Sequence, residues 1–372
     1  MNNGKVWFGT DGDDRIDLNW QAPWDVKDNV VAGDGNDTIF GNIADNHLFG
    51  EGGNDEIQGG FGDDTIDGGS GSDDLHGDFG NDLLFGGSGN DTLDGGSGDD
   101  ILHGDSGNDL MLGADGNDVL DGGDGDDRMF GDFFDGGGID NGNDVMSGGA
   151  GNDEMHGGGG NDNLDGGTGN DKLFGDDGND TLTESGSNTG DDVMHGGDGS
   201  DTLQTSSGHD KLFGDAGSDT ITVLNAATHL AEVQIHGGSG VDTLQLNSAN
   251  GFTINGLGNI DGIDKIVLNS QTGHDTLNLS HSDLAFGTDN DFLVVNATHS
   301  GNHVNLFNDT AANGGAHWEA GLTTMGADPH TYYNLVQDGT TLSTVAVEHG
   351  IDVSIVDPFQ FHPIALQEPH LG

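Results

Sequence analysis

Residues 59–130 read GGFGDDTID, GGSGSDDLH, GDFGNDLLF, GGSGNDTLD, GGSGDDILH, GDSGNDLML, GADGNDVLD and GGDGDDRMF, a run of nine-residue units laid end to end from Gly59 to Phe130. The shared pattern is G-G-x-G-x-D-x-U-x, with U a large apolar residue. A fixed short period marks a stacked repeat, because one unit cannot bury an apolar face alone. The x-U-x segment reads as a short strand whose middle side chain points inward. Those inward residues are Ile57, Ile66, Leu75, Leu84, Leu93, Leu102, Met111, Leu120 and Met129, and they are the predicted core ladder.

The register runs well beyond the regular block. Its sixth-position aspartates are Asp37, Asp55, Asp64, Asp73, Asp82, Asp91, Asp100, Asp109, Asp118 and Asp127, with Asn46 in the one vacancy. Asn46 keeps an oxygen but loses the charge, so a weak or missing site is expected there. An insertion around 133–141 resets the ladder to Asp144, Asp153, Asp162, Asp171 and Asp180, and a smaller one near 184–186 resets it to Asp192, Asp201, Asp210 and Asp219. Asp14 and Asp242 carry the same local pattern in GTDGDDRID and GGSGVDTLQ. If two units make one coil, aspartates eighteen residues apart share an edge. One column is then Asp64, Asp82, Asp100 and Asp118, and the other Asp73, Asp91, Asp109 and Asp127.

Composition says what such columns need. Of 372 residues, 72 are glycine and only 31% are apolar, while 67 Asp+Glu against 7 Lys+Arg give a net charge of −60. A chain this acidic repels itself on compaction, and glycine adds the largest backbone entropy cost of any residue. By default it is a disordered acidic linker, which the strict register argues against. A highly charged cation is the remedy. With no cysteine, a metal must be held by oxygen or imidazole, and oxygen ligands point to Ca²⁺ before zinc or copper. Glycines at positions one, two and four are expected to allow positive φ and close stacking of turns, so that the loop curls around an ion. The aspartate supplies a carboxylate, and loop carbonyls supply the neutral oxygens of a six- to eight-coordinate site. An ion shared between loops of one column would make folding and binding a single event. Nucleic acid is disfavoured as a partner because no basic stripe is present. No stretch approaches the roughly 20 apolar residues of a membrane span. Met1 to Thr10 lacks the layout of a cleaved signal peptide, so export is expected by a route that does not read the N-terminus.

With those motifs in hand, the chain resembles the RTX (repeats-in-toxin) family of bacterial proteins exported by type I secretion, across roughly residues 9–245. The resemblance implies a right-handed parallel β-roll, multiple Ca²⁺ ions, a chain unfolded in the low-calcium cytoplasm, and folding outside the cell. The C-terminal third is similar to the end module of large type I-secreted adhesins. The similarity is carried by IDGIDKIVLNSQTGHDTLNLSHSDLAF, NDFLVVNATHSGNHVNLF, Trp318, Tyr332-Tyr333 and GTTLSTVAVEHGIDVSIV. Period-two alternation in Ile266-Val267-Leu268, Thr276 to Leu279 and Phe292 to Val295 indicates strands there. Such modules usually stop soon after an apolar run like Val353 to Val356, whereas this chain continues through DPFQFHPIALQEPHLG.

The expected organisation is an N-terminal cap with a first degenerate repeat over 1–30, the calcium-binding roll over 31–245, and a β-rich cap and secretion region over 246–372. Trp7, Trp20 and Trp24 are expected in the N-terminal cap, with a sugar-binding aromatic cluster as the rival reading. Phe133 and Phe134 belong either to a binding loop or to a packed cap. His76, His103, His156, His195 and His236 precede glycine; a transition-metal site is one reading and outward-facing position-nine residues the other, since Phe40, Phe85, Asp94, Asp121 and Phe130 share that position. No H-E-x-x-H and no G-x-S-x-G occurs, so a non-catalytic role is expected. The functional expectation is an extracellular or cell-surface calcium-binding protein with a structural or adhesive role, meeting the type I secretion machinery and surface or matrix components. The alternative is an export and stabilising module of a larger secreted enzyme, toxin or adhesin. Membrane insertion is the weakest reading.

Overall fold

A computed structural model describes residues 5–20, 28–132, 142–185, 190–226, 230–250, 253–255, 259–270, 276–279, 292–297, 303–307, 317–321, 330–337, 340–348 and 352–356. Trp24, Phe133, Phe134 and the tail after Val356 lie outside the described residues, as do most of the two insertions. The chain divides into two compact units, 1–201 and 202–372.

In the first unit each nine-residue repeat gives one strand, and consecutive strands alternate between two parallel sheets. Leu83–Ser88 pairs with Ile101–Ser106 in one sheet, placing Leu84 beside Leu102, while Asp74–Phe79 pairs with Thr92–Ser97 in the other, placing Leu75 beside Leu93. Two repeats therefore make one coil, as the eighteen-residue spacing requires. The expected core ladder is in place: Ile57, Ile66, Leu75, Leu84, Leu93, Leu102, Met111, Leu120 and Met129 are all buried. Alternation along a strand also buries position one, where Gly86 follows Leu84 and Gly104 follows Leu102. Each repeat thus contributes one apolar side chain to the interior.

Two strands among the described residues 5–20 extend the same architecture. Val6–Phe8 pairs in parallel with Asn29, Val30 and Val31, and Arg15–Asp17 with Thr38, Ile39 and Phe40. The insertion at 133–141 leaves the ladder unbroken, since Val119–Asp124 pairs directly with Val145–Ala150.

The second unit begins on the same plan and then changes. Thr220–Val223, Thr243–Ser248, Lys265–Ser270 and Phe292–Ala297 pair in succession, all parallel, so coiling runs past residue 245. Thr253–Asn255, Thr276–Leu279, His303–Phe307 and Asp352–Val356 form a separate parallel sheet. Phe292–Ala297 also pairs with Thr340–Glu348, which continues antiparallel into His330–Gln337 and then His317–Gly321. The strands read from the alternating C-terminal segments are therefore present.

Candidate metal centre

Every loop presents its position-six side chain at the edge of the coil, where two chemical demands meet. The backbone N–H of one aspartate needs an acceptor, and Oδ1 of the aspartate one coil later supplies it. Asp64 donates to Asp82, Asp82 to Asp100 and Asp100 to Asp118, at 2.7–2.8 Å. On the other edge Asp55 donates to Asp73, Asp73 to Asp91, Asp91 to Asp109 and Asp109 to Asp127, at 2.7–2.8 Å. Both columns cross the insertions, with Asp118 donating to Asp144, Asp127 to Asp153, Asp144 to Asp162, Asp153 to Asp171, Asp162 to Asp180, Asp171 to Asp192 and Asp180 to Asp201. In the second unit Asp219 donates to Asp242, and Asp210 accepts from the Thr205 hydroxyl.

One carboxylate oxygen is thereby satisfied and the other is not. Oδ2 of Asp37, Asp55, Asp64, Asp73, Asp82, Asp91, Asp100, Asp109, Asp127, Asp144, Asp153, Asp162, Asp171 and Asp180 is buried with no hydrogen-bond partner. A buried charged oxygen left unpaired is costly, and burial disfavours the ionised form of these carboxyls. Burial pushes Asp64, Asp100 and Asp144 up to about 8; the N–H bond each accepts pulls it back, and neighbouring carboxylates add to the rise. The same causes carry Asp73, Asp109, Asp153, Asp171 and Asp180 up to about 7, and Asp82 and Asp162 to about 6. Asp37, Asp55, Asp91 and Asp127 are also raised, again mainly by burial.

The glycines serve both the positive φ and the close stacking expected of them, but positive φ is confined to positions two and four. Gly69 has φ 101° and Gly71 φ 142°. Position one is glycine for want of room. A Cβ on Gly86 would lie 2.6 Å from Asp91 Oδ2 and 2.9 Å from the Gly104 carbonyl oxygen, so any side chain would displace the carboxylate.

Asp210, Asn46 and Asp14 depart from the rule, Asp210 because its Oδ2 accepts from the Thr205 hydroxyl. Asn46 is wholly buried and self-satisfied: its Oδ1 accepts from the Asn42 N–H at 2.9 Å, and its Nδ2 donates to the Asp28 carbonyl at 3.2 Å. At Asp14, Oδ2 accepts from the Thr10 N–H and hydroxyl at 2.6 and 2.9 Å. Sequence reading missed two buried members. Asp28 lies nine residues before Asp37 but lacks the flanking glycines; its carboxylate accepts from the Lys5 N–H at 2.8 Å and Trp7 Nε1 at 3.2 Å. Asp264 lies 22 residues after Asp242 and accepts its N–H at 2.9 Å. The period alone would have found Asp28, and the G-x-D of GID would have found Asp264.

Columns of buried carboxylates that leave the Oδ2 of Asp64, Asp82, Asp100, Asp73, Asp91 and Asp109 unpaired are sites for hard cations. The RTX calcium-binding nonapeptide repeat (4 copies) matches residues 27–57, 50–84, 76–111, 103–137, 140–173, 156–183 and 187–221. The chain belongs to this family. Its repeats are calcium-binding, so the cofactor of this RTX chain is Ca²⁺ in multiple copies, and the free oxygens fit a hard divalent ion. The comparison with curated proteins finds no match.

Position nine forms stacks on the outside of the RTX roll. The rings of Phe130, His156, Phe174 and His195 are centred 5.3, 4.4 and 5.3 Å apart in succession, and Phe85 stacks on His103 at 5.1 Å. His76 instead bridges two carboxylates, with Nε2 3.1 Å from Asp74 and Nδ1 3.5 Å from Asp94, and the Asp94 contact raises its pKa. His76, His156 and His195 lie on one sheet and His103 on the other, each stacked on phenylalanine or facing carboxylates.

Proposed function

We propose that this chain is an extracellular RTX protein, exported unfolded by type I machinery, that folds as Ca²⁺ fills its aspartate columns and then serves a structural or adhesive role at the cell surface or in the surrounding matrix. The observation that carries this is the pair of buried columns with an unpartnered Oδ2 in loop after loop.

The ligands proposed are Asp37, Asp55, Asp64, Asp73, Asp82, Asp91, Asp100, Asp109, Asp118, Asp127, Asp144, Asp153, Asp162, Asp171, Asp180, Asp192, Asp201, Asp210, Asp219 and Asp242, with Asp14 at the N-terminal edge. Bound calcium supplies the positive charge that lets these carboxylates stay ionised while buried. In the regular repeats the backbone N–H of the aspartate one coil earlier donates to Oδ1 and orients the carboxylate, and position-one glycine keeps the space beside Oδ2 open. The net charge of −60 opposes compaction until that charge arrives, which suits a chain that crosses an export channel unfolded. RTX repeat proteins are generally secreted, and among the described residues no helix is long and apolar enough to cross a membrane. The role we assign is non-catalytic. Residues 246–372 are proposed to contain the secretion region, on their similarity to adhesin end modules.

The test is export from cells carrying type I machinery, into medium with and without calcium. The expected product is protease-resistant with calcium and protease-sensitive without it. Deleting residues 246–372 should impair export more than calcium binding; normal secretion of that truncation would refute the assignment.

A further inference from the structure

We propose that the outer face of the sheet formed by Leu83–Ser88, Ile101–Ser106, Val119–Asp124 and Val145–Ala150 docks a basic amphipathic helix of a partner protein. Position seven of these strands sets Leu83, Ile101, Val119 and Val145 side by side in one ridge. Ile101, Val119 and Val145 are 41%, 39% and 45% exposed. Elsewhere in the first unit this outward position is mostly polar, as at Thr65, Asp74, Thr92, Glu154 and Lys172.

Beside the ridge runs a groove of about 390 Å³ walled by His103, Asp105, Asp121 and Asp124, with room left by Gly123 and Gly149. His103 Nδ1 lies 3.6 Å from Asp121 Oδ2. The occupant must therefore offer an apolar strip and, next to it, positive charge. A second copy of this chain is disfavoured because it carries only 7 Lys+Arg to set against Asp105, Asp121 and Asp124, and an anionic surface is disfavoured by the same carboxylates.

Spacing selects the shape of the partner. Parallel strands lie about 4.7–4.9 Å apart, so four neighbours make a ridge roughly 14 Å long. A helix repeats its apolar face every 5.4 Å or so, one turn at a time. A strand repeats a face about every 6.6–6.8 Å and falls out of step sooner. Three turns of an amphipathic helix cover the ridge and lay Lys or Arg over the groove.

The probe is a fluorescent Leu/Lys amphipathic helix of about 14 residues, long enough at 1.5 Å per residue to span the ridge. It is titrated into the full chain in calcium, beside a scrambled peptide of the same composition and beside spermine. The combined Ile101→Thr, Val119→Thr and Val145→Thr variant should weaken the amphipathic peptide about tenfold and leave the scrambled peptide unchanged. Phe61→Ser with Phe79→Ser, which alters an exposed ring pair on a loop edge, should change neither. Asp121→Asn with Asp124→Asn should weaken the peptide and flatten its salt dependence, and it provides the test if the triple variant fails to fold in calcium. Equal binding of amphipathic and scrambled peptides, or an unaffected triple variant, would overturn the proposal. So would spermine displacing the peptide equally from wild type and triple variant, which would mark the groove as a site for small polycations.

Discussion

The coil at Leu84 and the coil at Leu246 share one parallel pairing but fill it differently. Leu83–Ser88 buries Leu84 and then Gly86, whereas Thr243–Ser248 buries Leu244 and Leu246, and Lys265–Ser270 buries Ile266 and Leu268. A buried leucine or isoleucine contributes roughly 1.5–3 kcal/mol. The later coils have two such residues per strand. The repeats have one, and a glycine where the second would stand, because the aspartate carboxylate occupies that space. Calcium coils have thus exchanged apolar burial for a charged edge that a cation must complete.

The sharpest break in that comparison comes from the carboxylates themselves. Replacing Asp91 and Asp109 together by asparagine, neighbours on one edge, should lower calcium affinity at least about tenfold and blunt its cooperativity. Amide protection at Leu244 to Leu246 should stay as it was. Calorimetric titration with hydrogen exchange reads both, and unchanged binding would sink the shared-edge arrangement.

Acidity separates the two kinds of coil next. The raised carboxyls, at about 8 for Asp64, Asp100 and Asp144 and about 7 for Asp73, Asp109, Asp153, Asp171 and Asp180, compare with roughly 3.9 in an unfolded chain. Between about pH 4 and 8 the folded, calcium-free repeats therefore hold more protons than the unfolded chain. Their contribution to stability is complete below about pH 4 and is lost as pH rises through 7 and 8. In chelator, the β-structure of the repeats and its resistance to denaturant should appear and grow as pH falls from 8 to 5, while calcium affinity falls over the same range. A calcium-free midpoint that rises toward pH 8 would contradict this.

The smallest effect sharpens the comparison within the repeats. Asn46→Asp replaces a self-satisfied amide by a carboxylate in register with Asp64. It should add one ion to the stoichiometry measured by equilibrium dialysis. In chelator at about pH 5 it should cost about 1 kcal/mol, because the bond from Nδ2 to the Asp28 carbonyl is lost.

Much of this was legible in the residues, for a physical reason: a solenoid repeats its chemistry at the period of its coil. Aspartate at six and Leu, Ile or Met at eight placed the edge and the core directly. Features that depend on neighbouring coils were harder to read. The role of Gly86 emerges only with Asp91 and Gly104 beside it, since glycine for conformation and glycine for space look alike in a sequence. Asp28 hides because its partners, Lys5 and Trp7, replace the glycine loop that signals its counterparts. The ring stacks at position nine join residues eighteen or more apart, and mixed Phe and His at one position concealed a common geometry.

The most direct test of the central claim is far-UV circular dichroism of chelator-treated protein during a Ca²⁺ titration, with Mg²⁺ as control. The account predicts a cooperative transition to β-structure that calcium drives and magnesium does not. A full β-spectrum already present in chelator at pH 8 would contradict it, because the carboxylate columns would then be packing without the cation they are built to hold.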